Sequence, residues 1–242
     1  MNRRQFSLVL LSPLLVNTRL EASAQTPTVT PGPFIHTPQT QPSADPANPS
    51  AYVGALLGEP DAPIRIMVYS DSQCQYCQEF YLDMLPPLVT EFVEPGDIIL
   101  EYREHPILGR GGLMSAVNTS SIEAQALLCA GEQGAYFPML EAMMHREHVY
   151  SDDAVTTMEE IANDIGIDPG AIRSGIEERR YVPVLYEVVK DGRIRGVTQT
   201  PTFNIGPADD RAAVFNSDLI TLDRTGYQGL REKILVALAE LE

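Results

Sequence analysis

Ser70-Asp71-Ser72-Gln73-Cys74-Gln75-Tyr76-Cys77-Gln78-Glu79-Phe80-Tyr81 is the stretch whose reading decides the fold. Cys74 and Cys77 make a C-x-x-C. Immediately upstream, Ile64-Arg65-Ile66-Met67-Val68-Tyr69 is apolar and rich in β-formers, which predicts a strand. Immediately downstream, Phe80, Tyr81, Met84, Leu85 and Leu88 recur at helical spacing. The cysteine pair therefore falls where a strand hands over to a helix. In the first turn of that helix the backbone N–H groups have no intrahelical partner and the dipole is positive, so a sulfur at Cys74 is pushed towards thiolate. Cys77, one turn on, lies on the same side, within disulfide reach and facing inward.

The totals set the frame. The chain has 242 residues, 44% of them hydrophobic, as in an ordinary globular protein. No apolar run approaches the roughly 18 residues of a membrane span. Formal charge is −16. Such acidity argues against nucleic acid or anionic lipid as a partner and suits solubility or basic substrates. Residues 1–24 read as an export signal, with Asn2-Arg3-Arg4, an apolar Phe6 to Val16 and a small-residue cleavage site at Ala22-Ser23-Ala24. The Arg pair and Phe6 are similar to a twin-arginine signal, whereas Asn2 and Ser7 depart from it, so the general secretory route stays open. Arg19 and Glu21 sit awkwardly before a cleavage site, which keeps an uncleaved anchor open too. Removing 1–24 takes the charge to −18. Each route leads to a periplasmic or otherwise extracytoplasmic protein, where disulfides persist.

Residues 25–51 follow, with seven prolines between 25 and 50, and predict a disordered linker. The rest, 52–242, reads as one domain. Tyr52 to Leu57 predicts a short edge strand. The C-x-x-C helix is expected to run to about Phe92 and bend at Pro86-Pro87. Ile98 to Arg103 predicts a central strand. From about 112 to 193 the pattern is helical: Ile122, Ala126 and Cys129 mark a first helix and Phe137, Leu140, Met143 and Met144 a second. A third follows Asp152-Asp153, a fourth opens at Asp168-Pro169, and Val182 to Lys190 predicts a fifth. Thr202 to Ile205 predicts a strand and Ala212 to Leu222 another. Gly226 to Leu241 predicts a closing helix with Leu230, Ile234, Leu235, Leu238 and Leu241 on its inner side.

The order is strand, C-x-x-C helix, strand, helical block, Thr-Pro, two strands, helix. With Asp61-Ala62-Pro63-Ile64, Ser70 to Cys77 and Gly196 to Phe203 as anchors, the chain resembles the DsbA-like thiol–disulfide oxidoreductases of the thioredoxin superfamily over residues 52–242. The resemblance implies an α/β thioredoxin-like fold, a mixed central sheet flanked by helices, with a helical subdomain inserted at about 112–193. It implies a cis Pro201 facing the cysteines, with the Thr200 backbone free to pair with a substrate chain. It also implies that Gln75 and Tyr76, between the cysteines, tune the potential, which in the superfamily runs from about −270 mV in thioredoxin to about −120 mV in DsbA. The strongest oxidants of the family carry Pro-His there; Gln-Tyr predicts an intermediate value. Many relatives place a buried acid six positions before the first cysteine. Val68 stands there, so Asp71 is the nearest carboxylate to assist, unless it caps the helix with Ser72.

Thiol–disulfide exchange needs an acidic, accessible thiol and a second thiol to resolve the mixed disulfide. Cys74 and Cys77 fit these roles; a structural disulfide or a metal pair are the competing readings. A zinc site would need further Cys or His at suitable spacing, which the sequence lacks. Hence no metal and no cofactor beyond the redox-active disulfide Cys74–Cys77 are expected. Cys129, between Leu127, Leu128 and Ala130, reads as a buried inert thiol. Glu141, His145 and His148 share a helix face that reads as solvated rather than metal-binding, and His105-Pro106 reads as structural. Gly109-Arg110-Gly111-Gly112 reads as a flexible loop. The resulting expectation is an exported oxidase that introduces disulfides into secreted proteins bearing thiols and is re-oxidised by a membrane redox partner. A reductase or isomerase on the same fold is one alternative; a non-catalytic copper- or protein-binding module is another. The sequence carries no signal for oligomeric state.

Overall fold

The structure is a computed structural model that describes residues 34, 36–108, 118–146, 153–222 and 226–241. The signal, the start of the Pro-rich segment, residues 109–112 and His148 lie outside the described residues. In chain order the strands are β1 (Gln39–Thr40), β2 (Ala55–Leu57), β3 (Ile64–Ser70), β4 (Ile98–Glu104), β5 (Thr202–Pro207) and β6 (Ile220–Thr221). They form one sheet in the order β1-β2-β4-β3-β5-β6. β3 and β4 are parallel, with Ile64 opposite Ile98 and Ser70 opposite Glu104; every other pair is antiparallel. Both central strands are buried along nearly their whole length, which is why they read as mostly apolar; Glu101, Arg103 and Glu104 are buried charges within β4.

Residues 75–93 follow one helical path: α1 (Gln75–Glu79), a π-helical turn (Phe80–Met84), α2 (Leu85–Leu88) and a second π turn (Val89–Val93). Pro86 and Pro87 bring no N–H to the ladder, so the neighbouring turns widen instead of the helix ending. The inserted helices are α3 (Thr119–Glu132), α4 (Tyr136–Met144), α5 (Ala154–Asp164), α6 (Pro169–Glu177) and α7 (Val182–Arg195). Asn118 caps α3 by accepting from Ser121 N–H at 2.9 Å, and Asp168 caps α6 by accepting from Gly170 N–H at 2.8 Å. α3 is buried on all sides, polar Ser120, Glu123 and Gln125 included. The insertion meets the sheet through aromatic edges: Tyr102 of β4 against Phe137, and Phe137 against Tyr136.

Three segments depart from expectation. Residues 36–51 are built onto the domain: β1 covers β2, which is therefore not an edge strand. Ser43 bridges Val53, the Gln41 side-chain carbonyl accepts from Tyr136 N–H at 3.0 Å, and Pro42 packs so close to Gly131 that a Cβ there would sit 2.8 Å from its ring. Phe34 is buried against Tyr81. Proline depletes donors but leaves carbonyls and rings able to dock on a preformed surface, and composition alone is blind to that surface. Next, residues 211–222 give a short helix, α8 (Arg211–Asn216), before β6, because Asp210 caps it by accepting from Ala213 N–H at 2.9 Å. Finally, α9 (Tyr227–Ala239) buries Leu230 and Ile234 but leaves Leu235 41% exposed, and Leu241 lies past its end, 49% exposed, so its inner stripe is narrower and shorter than expected.

Candidate active site

The turn between β3 and α1 is held by Asp71. Its carbonyl accepts from Cys74 N–H at 2.9 Å, and its own N–H points at Cys77 Sγ at 3.5 Å. Its carboxylate accepts from Gln73 N–H at 3.0 Å through Oδ1 and from Ile107 and Leu108 N–H at 2.8 and 3.0 Å through Oδ2. Asp71 thus ties the cysteine turn to the loop after β4. The expectation that it caps the helix with Ser72 is corrected: Cys74 itself is the N-cap, in extended conformation, with no side-chain cap. Three backbone N–H groups occupy the Asp71 carboxylate, and the first turn of α1 is left to the sulfur. Burial raises the Asp71 carboxyl, against these hydrogen bonds.

Cys74 is 6% exposed and Cys77 1%, and both are free thiols. The Cys74 thiol is lowered from 9.0 to about 6. The hydrogen bond from Cys77 is the largest cause; burial works against it, and Thr200 and the N–H groups of Cys77 and Tyr76 add to it. Cys77 moves the opposite way, raised by burial and by the neighbouring Cys74. One sulfur is thus the anion and the other holds the proton. Across from them the Thr200–Pro201 peptide is cis, and the Thr200 carbonyl lies 3.2 Å from Cys74 Sγ. Cys74, Cys77, Thr200 and Pro201 therefore meet at the C-terminal end of β3 and the start of β5. Gln75 is exposed and donates to Glu79 at 3.2 Å, along the outer side of α1. Tyr76 is 64% exposed beside the cysteines.

Two acids escape a reading of the sequence. Glu123 of α3 accepts from Ser72 Oγ at 2.5 Å and from the Gln73 side-chain amide, so the insertion grips the turn that carries Cys74. Glu104, at the end of β4, is hydrogen-bonded by the Tyr136 hydroxyl. Burial raises Glu123 to about 7 and Glu104 to about 8; the Asp71 charge adds to both, and the Glu123 charge adds to the rise of Glu104. Only an acid inside an otherwise apolar helical run, Ile122-Glu123-Ala124, signals the first of these. Val68 is fully buried between Tyr102 and Phe203 and contributes no charge.

The remaining candidates are held by other partners. His105 is buried edge-on to Tyr69, with a Cβ at Gly192 excluded by its ring at 2.3 Å, and burial lowers it to about 4. Cys129 packs on Gly175 of α6 and is raised to about 12 by burial. His145 pairs with Glu141 at 2.8 Å.

A family model described as Thioredoxin matches residues 51–211. Disulfide bond formation protein D of Bacillus subtilis (strain 168) is 26% identical over 74 residues, which is 31% of this chain and 33% of that protein. The chain thus spans about a third of the length of the curated relatives it matches. Among solved structures, BdbD from Bacillus subtilis (oxidised) superposes with a TM-score of 0.62 at 17% identity, covering 84% of this chain and 98% of that one. DsbA of Chlamydia trachomatis gives 0.58 at 23%, covering 77% and 92%. At these identities the two structures speak for a shared fold: a mixed sheet of thioredoxin type with an inserted helical subdomain.

Proposed function

The chain belongs to the thioredoxin family, and from that premise we propose that it is an exported thiol–disulfide oxidoreductase that donates the Cys74–Cys77 disulfide to other exported proteins. The observation that carries this reading is a sulfur at the mouth of α1 whose thiol is lowered to about 6. A substrate thiolate attacks Cys74 Sγ of the oxidised pair; the Cys74–Cys77 bond breaks and Cys77 takes up the electron pair and a proton. A second substrate thiolate then attacks the substrate sulfur of the mixed disulfide. Cys74 leaves as a thiolate, and two electrons have passed from substrate to enzyme. A good leaving thiolate speeds this last step and stabilises the reduced enzyme. At pH 7 a shift from 9.0 to about 6 favours the reduced form by about 1.4 kcal/mol, or about 30 mV in a two-electron couple. That lies well short of the span separating the weakest and strongest oxidants of the superfamily, which supports an intermediate potential.

In this reading the Thr200 backbone beside the cis bond receives an extended substrate segment as an added strand, and exposed Tyr76 flanks it. Gln75, Tyr76 and Asp71 tune the pair. No cofactor beyond the disulfide is required. The partners are secreted proteins with thiols or disulfides and a membrane-bound oxidant that restores the disulfide. Residues 1–24 supply the export signal. No described helix is long and apolar enough to cross a membrane.

Refolding of reduced ribonuclease tests the proposal. The oxidised wild type restores activity, and Cys74→Ser abolishes it; an inactive wild type, or an active Cys74→Ser, sinks the proposal. Equilibration with glutathione separates oxidase from reductase, since a potential at the thioredoxin end favours the latter.

A further inference from the structure

The turn carrying Cys74 is held from two sides. Asp71 ties it to the loop after β4, as described above. On the other side stands the insertion, which reaches the turn through Glu123: one carboxyl oxygen receives Ser72 Oγ at 2.5 Å and the other receives the Gln73 amide. Ser72 and Gln73 are the two residues immediately before Cys74. Glu123 is 4% exposed and Gln73 9%, so water does not compete for these bonds. Among the described residues, the hydrogen-bond partners of Glu123 are neutral, although a buried carboxylate without a counter-charge is costly. The titratable groups around it are Asp71 in the turn and Glu104 on β4 with its partner Tyr136 on α4; the cysteine pair follows the clamped turn directly in the chain.

We propose that Glu123 is a positioning residue for the cysteine pair: by clamping Ser72 and Gln73 it fixes the turn, keeps the two sulfurs within bonding distance, and makes the helical insertion part of what sets the redox equilibrium. The inference rests on the disulfide-exchange reading of the pair. Two effects follow, and both act in one direction. A fixed turn raises the effective concentration of Cys77 at Cys74, which favours the disulfide over the dithiol. A carboxyl group that ionises near the Cys74 thiolate opposes that thiolate, which again favours the disulfide. Removing Glu123 therefore makes the protein a stronger oxidant.

The test uses the full chain in its reduced form, reading thiolate absorbance against pH and the equilibrium constant with glutathione. Glu123→Gln, which keeps an acceptor oxygen but not the charge, moves the Cys74 thiolate titration to lower pH than in wild type. It also shifts the glutathione equilibrium about threefold to tenfold towards the reduced enzyme. Glu123→Ala, which loses clamp and charge, shifts it further, and Glu123→Asp restores part of the loss. Should the Glu123 variants fail to fold, Ser72→Ala removes one clamp bond and shifts both readouts in the same direction by less. A fall in thermal midpoint with titration and equilibrium unchanged would show that Glu123 merely packs, and the inference would be overturned. Neither readout needs a protein substrate. Failure of ribonuclease refolding by wild type therefore defeats the functional reading alone, whereas unchanged titrations defeat this one.

Discussion

Glu101 and Glu104 stand one β-turn's length apart on β4, both buried, yet they face opposite sides of the sheet and their carboxyl groups are driven in opposite directions. Glu101 receives Arg65 at 2.8 Å, Arg103 at 3.0 Å, Arg211 at 2.6 and 2.9 Å, and Gly54 N–H at 3.2 Å. Burial pushes it up, but the bonds and charges of these arginines outweigh that and hold it at about 2. Glu104 faces the insertion, where Tyr136 is its hydrogen-bond partner and Asp71 and Glu123 are its charged neighbours; burial raises it to about 8. The lesson is that burial raises a carboxyl by itself, and that only cationic partners strong enough to outweigh it reverse the sign. Away from the cysteines the protein neutralises a buried acid with cations and uses it to join β3, β4 and α8. Beneath the cysteines it leaves buried acids protonatable.

The signs give opposite pH dependences. Glu101 is depressed, so its stabilisation is complete above the ordinary carboxylate range and lost as pH falls towards 2. Glu104 is raised, so the fold favours its protonated form. That contribution is complete below about pH 4.5 and lost as pH rises towards 8. The largest expected effect comes from breaking the compensated side: Glu101→Gln leaves Arg103 buried without a counter-charge and costs about 3–5 kcal/mol in urea denaturation at pH 7. Next, Glu104→Gln stabilises the protein at pH 8.5 by about 2–4 kcal/mol and has no benefit at pH 5; an equal effect at both pH values would dissolve the contrast. Smaller still, Tyr136→Phe removes the partner of Glu104 at a cost of about 1–3 kcal/mol, greater at pH 8.5 than at pH 5, because that bond favours the ionised form. The smallest effect sharpens the comparison from outside. Arg173 pairs with Glu159 and Glu177 on the surface, and Arg173→Ala leaves the thermal midpoint unchanged, as solvent already screens the pair.

How far the sequence carried the reading depends on where each feature's partners lie along the chain. β3, the helix after Cys77, β4 and β5 were legible because periodicity is local. Cys74 and Cys77 were legible because their spacing on a helix start is local as well. Thr200 and Pro201 came into view through family resemblance, since the chain between them and the cysteines says nothing about proximity. The docked segment from Phe34 to Tyr52 was hidden by its composition, and α8 by its brevity. Glu104 and Glu123 were hidden most thoroughly. An acid in a run of letters looks the same whether water or Tyr136, Ser72 and Gln73 receive it.

By itself, then, the sequence determined that a C-x-x-C pair, Cys74 and Cys77, opens a helix after a buried strand, and that a helical block interrupts the sheet. All of these follow from backbone geometry within a few residues. The sequence also pointed to Cys74 as the sulfur driven towards thiolate; only the tertiary structure decided which acids are buried near the cysteine turn and that the insertion holds the turn before Cys74. Those outcomes depend on burial and on partners brought together from distant strands and helices, and the free energy of a charge is fixed by what surrounds it in space.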